Sequence, residues 1–303
     1  MPSLFAVLAS VLIVGTSAHT QAAPYESSPL DFLRDSILAR IARSPGVTVG
    51  LVFRDLQSGD SLTLSADSVF HAASTMKIPV MIEVLRRSQD GGFTLDQPVL
   101  LLNEFASIAD GSTFSLDPKE DGDTLLYQRV GQRVPIRELM QRMITLSSNL
   151  ATNELIALVG AARVTEAAHR LGAVHMQVLR GVEDQKAFDR GIINTTTARD
   201  LAILLAAIED GRVLSPASSA LMREILLAQE FNTKIPAGLP PGTRVAHKTG
   251  EITAVSHDAA VVYPEGRRPY VLVVLTRGLR DGAESSALIA DIARLVHAHV
   301  MSR

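Results

Sequence analysis

Ser74 and Lys77 stand three residues apart in an otherwise apolar stretch, FHAASTMKIPVMIEVL, residues 70 to 85. If a helix starts near Ala73, the two side chains share one face, a turn apart. The serine then lies at the helix N-terminus, where free N–H groups and the helix dipole stabilise negative charge. Apolar neighbours would desolvate the amine, lower its pKa and allow it to accept the serine proton. The pair therefore predicts a nucleophilic serine, although a chance pairing with a surface lysine is the alternative.

Two further motifs follow at wide spacing. Ser147 and Asn149 lie in LSSNLATN at the junction of two predicted helices, and Lys248-Thr249-Gly250 ends a predicted strand. Taken singly, the first is a common helix-capping pattern and the second a common strand end. Three such groups in this order, with these structural contexts, indicate one active site.

The composition excludes several other functions. The chain of 303 residues has a net charge of −3, 4% aromatic residues and no cysteine. Without a basic stripe, nucleic acid is not an expected partner, and the lack of cysteine excludes disulfides and thiol catalysis. No H-E-x-x-H, G-x-S-x-G or glycine-rich phosphate loop occurs, so we expect no metal and no cofactor.

The order of predicted elements indicates an α+β fold. A helix at 30–43 and a strand pair within 47–66 precede a long helical middle, and strands return at 243–250, 254–263 and 268–278 before a final helix at 284–299. We expect one antiparallel sheet flanked by the N- and C-terminal helices, with an inserted all-helical lobe. A cleft between the lobes is the natural place for the site. The predicted middle helices are 74–88, 135–146, 149–159, 163–171, 196–209 and 216–229.

The N-terminus predicts export to the periplasm or outside the cell. Its apolar run from Leu4 to Val14 is too short to span a bilayer and is followed by small residues, which is typical of a signal peptide. We assign residues 1–22 to the signal peptide, with cleavage after Ala18 or Ala22, and 24–303 to the catalytic domain. Its α/β lobe would comprise about 24–66 and 230–303, and its helical lobe about 67–229. A short membrane anchor or a buried helix is the alternative for the N-terminus.

The three motifs resemble those of the class A β-lactamases and their penicillin-binding relatives, with S-S-N in place of S-D-N. The resemblance covers nearly the whole exported chain. It implies that Ser74 is the acylated nucleophile, Lys77 its proton acceptor or relay, and Ser147 the proton donor to the leaving nitrogen. It also implies that the N–H groups of Ser74 and Glu251 form the oxyanion hole.

The same resemblance implies the substrate contacts. Asn149 would hold the side-chain amide of the substrate, and Lys248, Thr249 and Gly250 the region of its carboxylate. We expect a β-lactam or a cell-wall peptide as the partner, and a monomer without a stable membrane span.

Three positions depart from the family pattern. Ser148 replaces the usual aspartate and removes a charge. His257 stands where the family commonly has an arginine, which predicts weaker or pH-dependent carboxylate recognition. Glu183, the candidate base for deacylation, lies about two residues out of register, and Asn153 would hold its loop. The alternative for Glu183 is a surface ion pair with Lys186.

Whether Glu183 acts as a general base decides which function the predicted active site would serve. With a base acting on the acyl-enzyme, the protein is a serine β-lactamase. The alternatives are a D-Ala-D-Ala peptidase or other amide or ester hydrolase of the same fold, and a penicillin-binding sensor that is acylated once without turnover.

Overall fold

The computed structural model describes residues 1–2 and 28–303. Residues 3–22 of the predicted signal peptide lie outside the described residues, so the peptide stays a prediction. The helices in the described part of the chain are α1 (Pro29–Ile41), α2 (Lys77–Gln89), α3 (Ile136–Thr145), α4 (Asn149–Val159), α5 (Ala161–Arg170), α6 (Gln185–Asp189), α7 (Ala198–Glu209), α8 (Pro216–Leu227) and α9 (Gly282–Met301). None of them has both the length and the apolar character needed to cross a membrane.

The strands form one large sheet and three short pairs. They are β1 (Thr48–Asp55), β2 (Ser61–Leu64), β3 (Phe70–His71), β4 (Pro98–Leu100), β5 (Phe105–Ala106), β6 (Thr113–Phe114), β7 (Arg133–Pro135), β8 (Thr195–Thr196), β9 (Arg244–Ile252), β10 (Val255–Tyr263) and β11 (Tyr270–Arg277). The large sheet is antiparallel in the order β2-β1-β11-β10-β9. The predicted α+β class is confirmed, as is the hairpin of β10 and β11 across residues 264–266.

Alternation along the strands gives the sheet two apolar faces. On β11, Leu272 and Val274 pack into a core with α1 and α9, whereas Val271 and Val273 pack into the core shared with the middle helices. Successive side chains of a strand point to opposite faces, so each face collects every second residue. The sheet is therefore covered on both sides, and β9 is left as the edge strand that reaches the site.

The predicted helices agree with the structure to within about three residues at each end, and α4 matches at both ends. One difference bears on chemistry. The helix expected from about Ala73 begins as a 3₁₀ turn over Ala73–Met76, and the α-helix starts only at Lys77. The short helix α6 and the short strand pairs were not expected, since they are held by tertiary contacts rather than by a periodic apolar pattern. The division into two lobes stays a prediction.

Candidate active site

Ser74 lies in the 3₁₀ turn, directly against strand β9. Ala73 before it has a φ of +43°, which bends the chain out of β3 into the turn. A Cβ atom added at Gly250 would lie 3.0 Å from the backbone nitrogen of Ser74. Glycine at this position therefore lets the strand that carries Lys248 and Thr249 approach the serine backbone closely.

Lys77 is fully buried and joins the first motif to the second. Its Nζ donates to the Ser147 carbonyl oxygen at 2.7 Å, to Asn149 Oδ1 at 2.8 Å and to Ser147 Oγ at 3.2 Å. Burial lowers the pKa of Lys77 to about 7, and the carboxylates of Asp121 and Glu183 oppose this shift. Among the described residues, its hydrogen-bond partners do not include the Ser74 hydroxyl; catalytic hydrogen bonds are often long before substrate binds.

Ser147 links the second motif to the third. Its φ of +56° places it in the left-handed region, which is unusual for a residue other than glycine. Lys248 Nζ donates to Ser147 Oγ at 3.0 Å and to the Thr249 carbonyl oxygen at 3.0 Å. Lys248 is also fully buried, and this burial lowers its pKa well below the usual range. Two buried amines thus converge on one serine hydroxyl.

A carboxylate from a distant loop fixes the start of α4. Asp121 Oδ2 accepts hydrogen bonds from the backbone N–H groups of Asn149 and Leu150, each at 2.9 Å, and from the Tyr127 hydroxyl at 2.8 Å. Ser148 caps the same helix by accepting from the Ala151 N–H at 3.3 Å. Asp121 was not predicted from the sequence, where the charge absent at Ser148 is the one feature that points to it.

Glu183 reaches the same cleft despite its shift in register. Its Oε1 accepts from Asn149 Nδ2 at 2.5 Å. The side chain stays partly open to solvent, but its enclosure in the cleft raises the pKa of the carboxyl, and the Asn149 amide opposes that rise. The alternative ion pair is wrong, because Lys186 donates to Asp110 Oδ2 at 3.0 Å and to Ser112 Oγ at 2.6 Å.

Asn153 holds the loop one residue before Glu183. Its Oδ1 accepts from the Val182 N–H at 2.7 Å, and its Nδ2 donates to the Val182 carbonyl at 3.0 Å. A Cβ atom at Gly181 would lie 2.4 Å from Asn153 Oδ1, so this close contact requires glycine there. Glu183 follows in the left-handed region with a φ of +61°. This turn directs its side chain toward Asn149.

His257 does not occupy the position expected from its spacing. Its ring is fully buried, with Nε2 2.9 Å from the His71 carbonyl oxygen, and Nδ1 2.8 Å from the Ser256 carbonyl oxygen and 3.2 Å from the Thr276 backbone nitrogen. Burial lowers its pKa to about 4, so the ring is neutral near pH 7. The prediction of a pH-dependent carboxylate contact from His257 is therefore wrong, because both ring nitrogens contact the backbone. The weaker carboxylate recognition named with it stays a prediction.

The described residues enclose a cleft of about 660 Å³ at this place. Ser74, Asn149, Glu183 and Glu251 are among the residues that line it. The carboxylate of Glu251 accepts from the buried Lys234 at 3.1 Å, a contact that was not predicted from the sequence. The described residues contain no cluster of three or more His, Asp or Glu side chains suited to hold a metal ion.

The chain is similar to known proteins over most of its length. A family model described as the β-lactamase enzyme family matches residues 32–300. A β-lactamase of Streptomyces albus G is 28% identical over 296 residues, which cover 96% of this chain and 92% of that protein. A mutant of PBP-A, solved as an acyl-enzyme complex with penicillin G, is 31% identical with a TM-score of 0.78 and covers 91% of this chain and 99% of its own. An ancestral class A β-lactamase is 28% identical with a TM-score of 0.76, over 88% of this chain and 99% of its own.

Proposed function

The chain belongs to the β-lactamase enzyme family, and on that premise we propose that it hydrolyses β-lactams through an acyl-serine intermediate. The observation that carries the proposal is the network in which Lys77 and Lys248 both donate to Ser147 Oγ, at 3.2 and 3.0 Å, and in which Lys77 also binds Asn149, a residue that lines one cleft with Ser74. A chromogenic cephalosporin assay on the purified protein tests it. Sustained turnover is expected, whereas a single stoichiometric burst or no reaction would count against it.

Acylation starts with attack of Ser74 Oγ on the lactam carbonyl carbon. Lys77 accepts the serine proton, which its lowered pKa favours near neutral pH. The oxyanion accepts hydrogen bonds from the N–H groups of Ser74 and Glu251, and such preorganised donors stabilise the charge that develops in the transition state. The carbon–nitrogen bond then breaks, and the proton reaches the leaving nitrogen from Lys77 through Ser147. The product is an acyl ester on Ser74.

The remaining site residues orient the substrate. Asn149 binds its side-chain amide, and Lys248 and Thr249 bind its carboxylate. Gly250 allows β9 to lie close to the Ser74 backbone, which keeps Lys248 and Thr249 of the same strand near the serine. Binding of this kind places the lactam carbonyl near Ser74 and converts the attack into an effectively intramolecular step.

Deacylation uses Glu183 as the general base. Its carboxylate removes a proton from a water molecule, which attacks the acyl ester and releases Ser74 with its proton restored. The contact of Glu183 with Asn149 supports this role, because Asn149 also accepts from Lys77 and therefore lies within the network around the ester. The released product is the ring-opened acid.

Export of the protein is also proposed from its N-terminal pattern. The short apolar run followed by alanines supports a signal peptide that is cleaved after Ala18 or Ala22. Intact-mass measurement of the protein recovered from the periplasm or medium tests this, since each cleavage site gives a distinct mass. The two-lobe division and the monomeric state are proposed alongside it.

The acylation rate should rise with pH through a midpoint near 7. Lys77 accepts a proton only when its amine is neutral, so the amine is inactive below its pKa of about 7 and active above it. The single-turnover rate of acylation by a penicillin, measured from pH 5 to 9, checks this. A rate that stays level across this range would contradict the assignment of Lys77 as the base.

Replacing Glu183 by glutamine should stall deacylation and leave acylation nearly unchanged. The substitution keeps the shape of the side chain but removes the base, which typically contributes about 10²–10⁴-fold. The acyl-enzyme should therefore accumulate and persist, and intact-protein mass spectrometry after a penicillin pulse would measure its lifetime.

Glu120→Gln is the matched control, because Glu120 is an exposed carboxylate that lines the same cleft. Its acyl-enzyme lifetime should stay close to that of the unchanged protein, because Glu120 acts on Glu183 only by raising the pKa of that carboxyl and its removal leaves the base in place. If Glu183→Gln also leaves the lifetime unchanged, Glu183 is a bystander and another group deacylates the serine.

A further inference from the structure

We propose that Asp121 is a positioning residue, which holds Ser147 and Asn149 in their reactive arrangement by anchoring the start of α4 from the preceding loop. The inference rests on the proposed function, since it concerns the geometry of the same reaction. Asp121 would thereby supply, from 27 positions earlier in the chain, the carboxylate that is absent at Ser148.

The contacts of Asp121 are specific for this helix end. Its side chain is buried, and Oδ2 accepts from the N–H groups of Asn149 and Leu150, which are the first two residues of α4. The Tyr127 hydroxyl donates to the same oxygen, and the Asp123 N–H donates to Oδ1 at 3.0 Å. Both oxygens are thus fixed, and a negative charge lies at the positive end of the helix dipole.

Ser148 cannot fulfil this task by itself. Its hydroxyl caps the Ala151 N–H, the third of the first-turn donors, so the N–H groups of Asn149 and Leu150 depend on Asp121. Buried donors left without a partner are costly, and the turn would reorganise to find one.

Reorganisation of the turn at the start of α4 would disturb acylation directly, because the neighbouring Ser147 is held in a strained conformation. A non-glycine residue at a φ of +56° persists only where its surroundings over-determine it. Ser147 is held by Lys77 and Lys248 on one side and by the anchored Asn149 on the other. Loosening Asn149 would release the serine from both amines.

Charge supports the same role. The carboxylates of Asp121 and Glu183 both act on the amine of Lys77 and raise its pKa. Lys248 of β9 is a second buried amine nearby. Glu120 raises the pKa of Glu183. Asp121 favours the protonated form of Lys77. Its removal should therefore lower the pKa of Lys77. The acid limb of the pH–rate profile, which is the pH range in which the acylation rate rises as Lys77 loses its proton, should then move to lower pH. A purely structural residue would not produce this effect.

Asp121→Asn is the test. We expect the single-turnover acylation rate at pH 8 to fall by about a hundredfold, because small misplacements of reacting groups cost that much. We also expect hydrogen exchange at the Asn149 and Leu150 amides to accelerate about tenfold or more, and the acid limb to shift down. The exchange measurement needs no substrate, so it tests the anchor even if the unchanged protein does not react with β-lactams.

Two variants complete the experiment. Asp123→Asn removes another buried carboxylate of the same loop, one that accepts from Arg142 rather than from α4, and should leave the acid limb and the exchange of residues 149–150 unchanged. Asp121→Asn combined with Ser148→Asp returns a carboxylate to the helix start. This double variant should acylate at a tenth or more of the rate of the unchanged protein. It can be measured even where the single variant Asp121→Asn is too unstable to purify. The proposal is overturned if Asp121→Asn acylates and exchanges as the unchanged protein does. It is equally overturned if Asp123→Asn reproduces the defect and the double variant rescues nothing.

Discussion

Replacing Ser74 by alanine should abolish covalent labelling by a fluorescent penicillin and leave the fold intact. The hydroxyl oxygen forms the ester, and no other atom of this side chain is needed by the reaction. In the described structure the Ser74 hydroxyl does not cap the 3₁₀ turn, so its loss should cost about 0.5 kcal/mol or less in the free energy of unfolding. Gel fluorescence after labelling and a thermal unfolding curve measure the two parts of this prediction.

Thr253→Ala gives the matched control for that experiment. Thr253 is an exposed residue that lines the same cleft, so the variant also removes a hydroxyl from the site but should label as the unchanged protein does. Labelling that survives in Ser74→Ala would mean that a different side chain is acylated. The mass of the labelled peptide would then identify it.

Most of the fold could be predicted from the sequence because its elements depend on local patterns. The capping pattern of Ser147 and Asn149 predicted a helix junction there, and α4 has the predicted bounds, with Ser148 as its cap in the structure; strand alternation gave the hairpin of β10 and β11. The start of α2 could not be predicted in the same way. The 3₁₀ turn over Ala73–Met76 packs closely against β9, a contact between residues far apart in the chain that no local pattern indicates.

The candidate site likewise contains residues whose placement local patterns predicted and residues whose placement depends on tertiary contacts. Lys77 and Lys248 do converge, on Ser147 Oγ, because each lies on a regular element, α2 or β9, that the sequence predicted. Ser74 lies in the turn that packs against β9. Glu183 and His257 were located by counting along loops and strands, which gave residue positions but not side-chain directions. The left-handed turn at Glu183 brings its carboxylate to Asn149, whereas the backbone contacts of His257 remove its ring from the cleft.

Replacing Lys77 by alanine should slow acylation by about 10²–10⁴-fold, because the variant lacks the group that accepts the serine proton. The amine also donates to the Ser147 carbonyl and to Asn149, so its loss leaves these half-buried acceptors without their partner. The single-turnover rate at saturating penicillin measures the effect on the chemical step. A thermal unfolding curve separates it from any loss of stability.

Lys248→Ala is the informative comparison, because both amines are fully buried and both donate to Ser147 Oγ. If Lys248 binds the substrate carboxylate, its loss should mainly raise the penicillin concentration needed for half-maximal acylation, by about tenfold or more for the loss of a charged contact of about 1.5–3 kcal/mol. Lys77→Ala should instead lower the maximal rate with little change in that concentration. Equal losses of maximal rate in the two variants would contradict this division of roles, and would mean that the two lysines act together as one proton-transfer unit through Ser147.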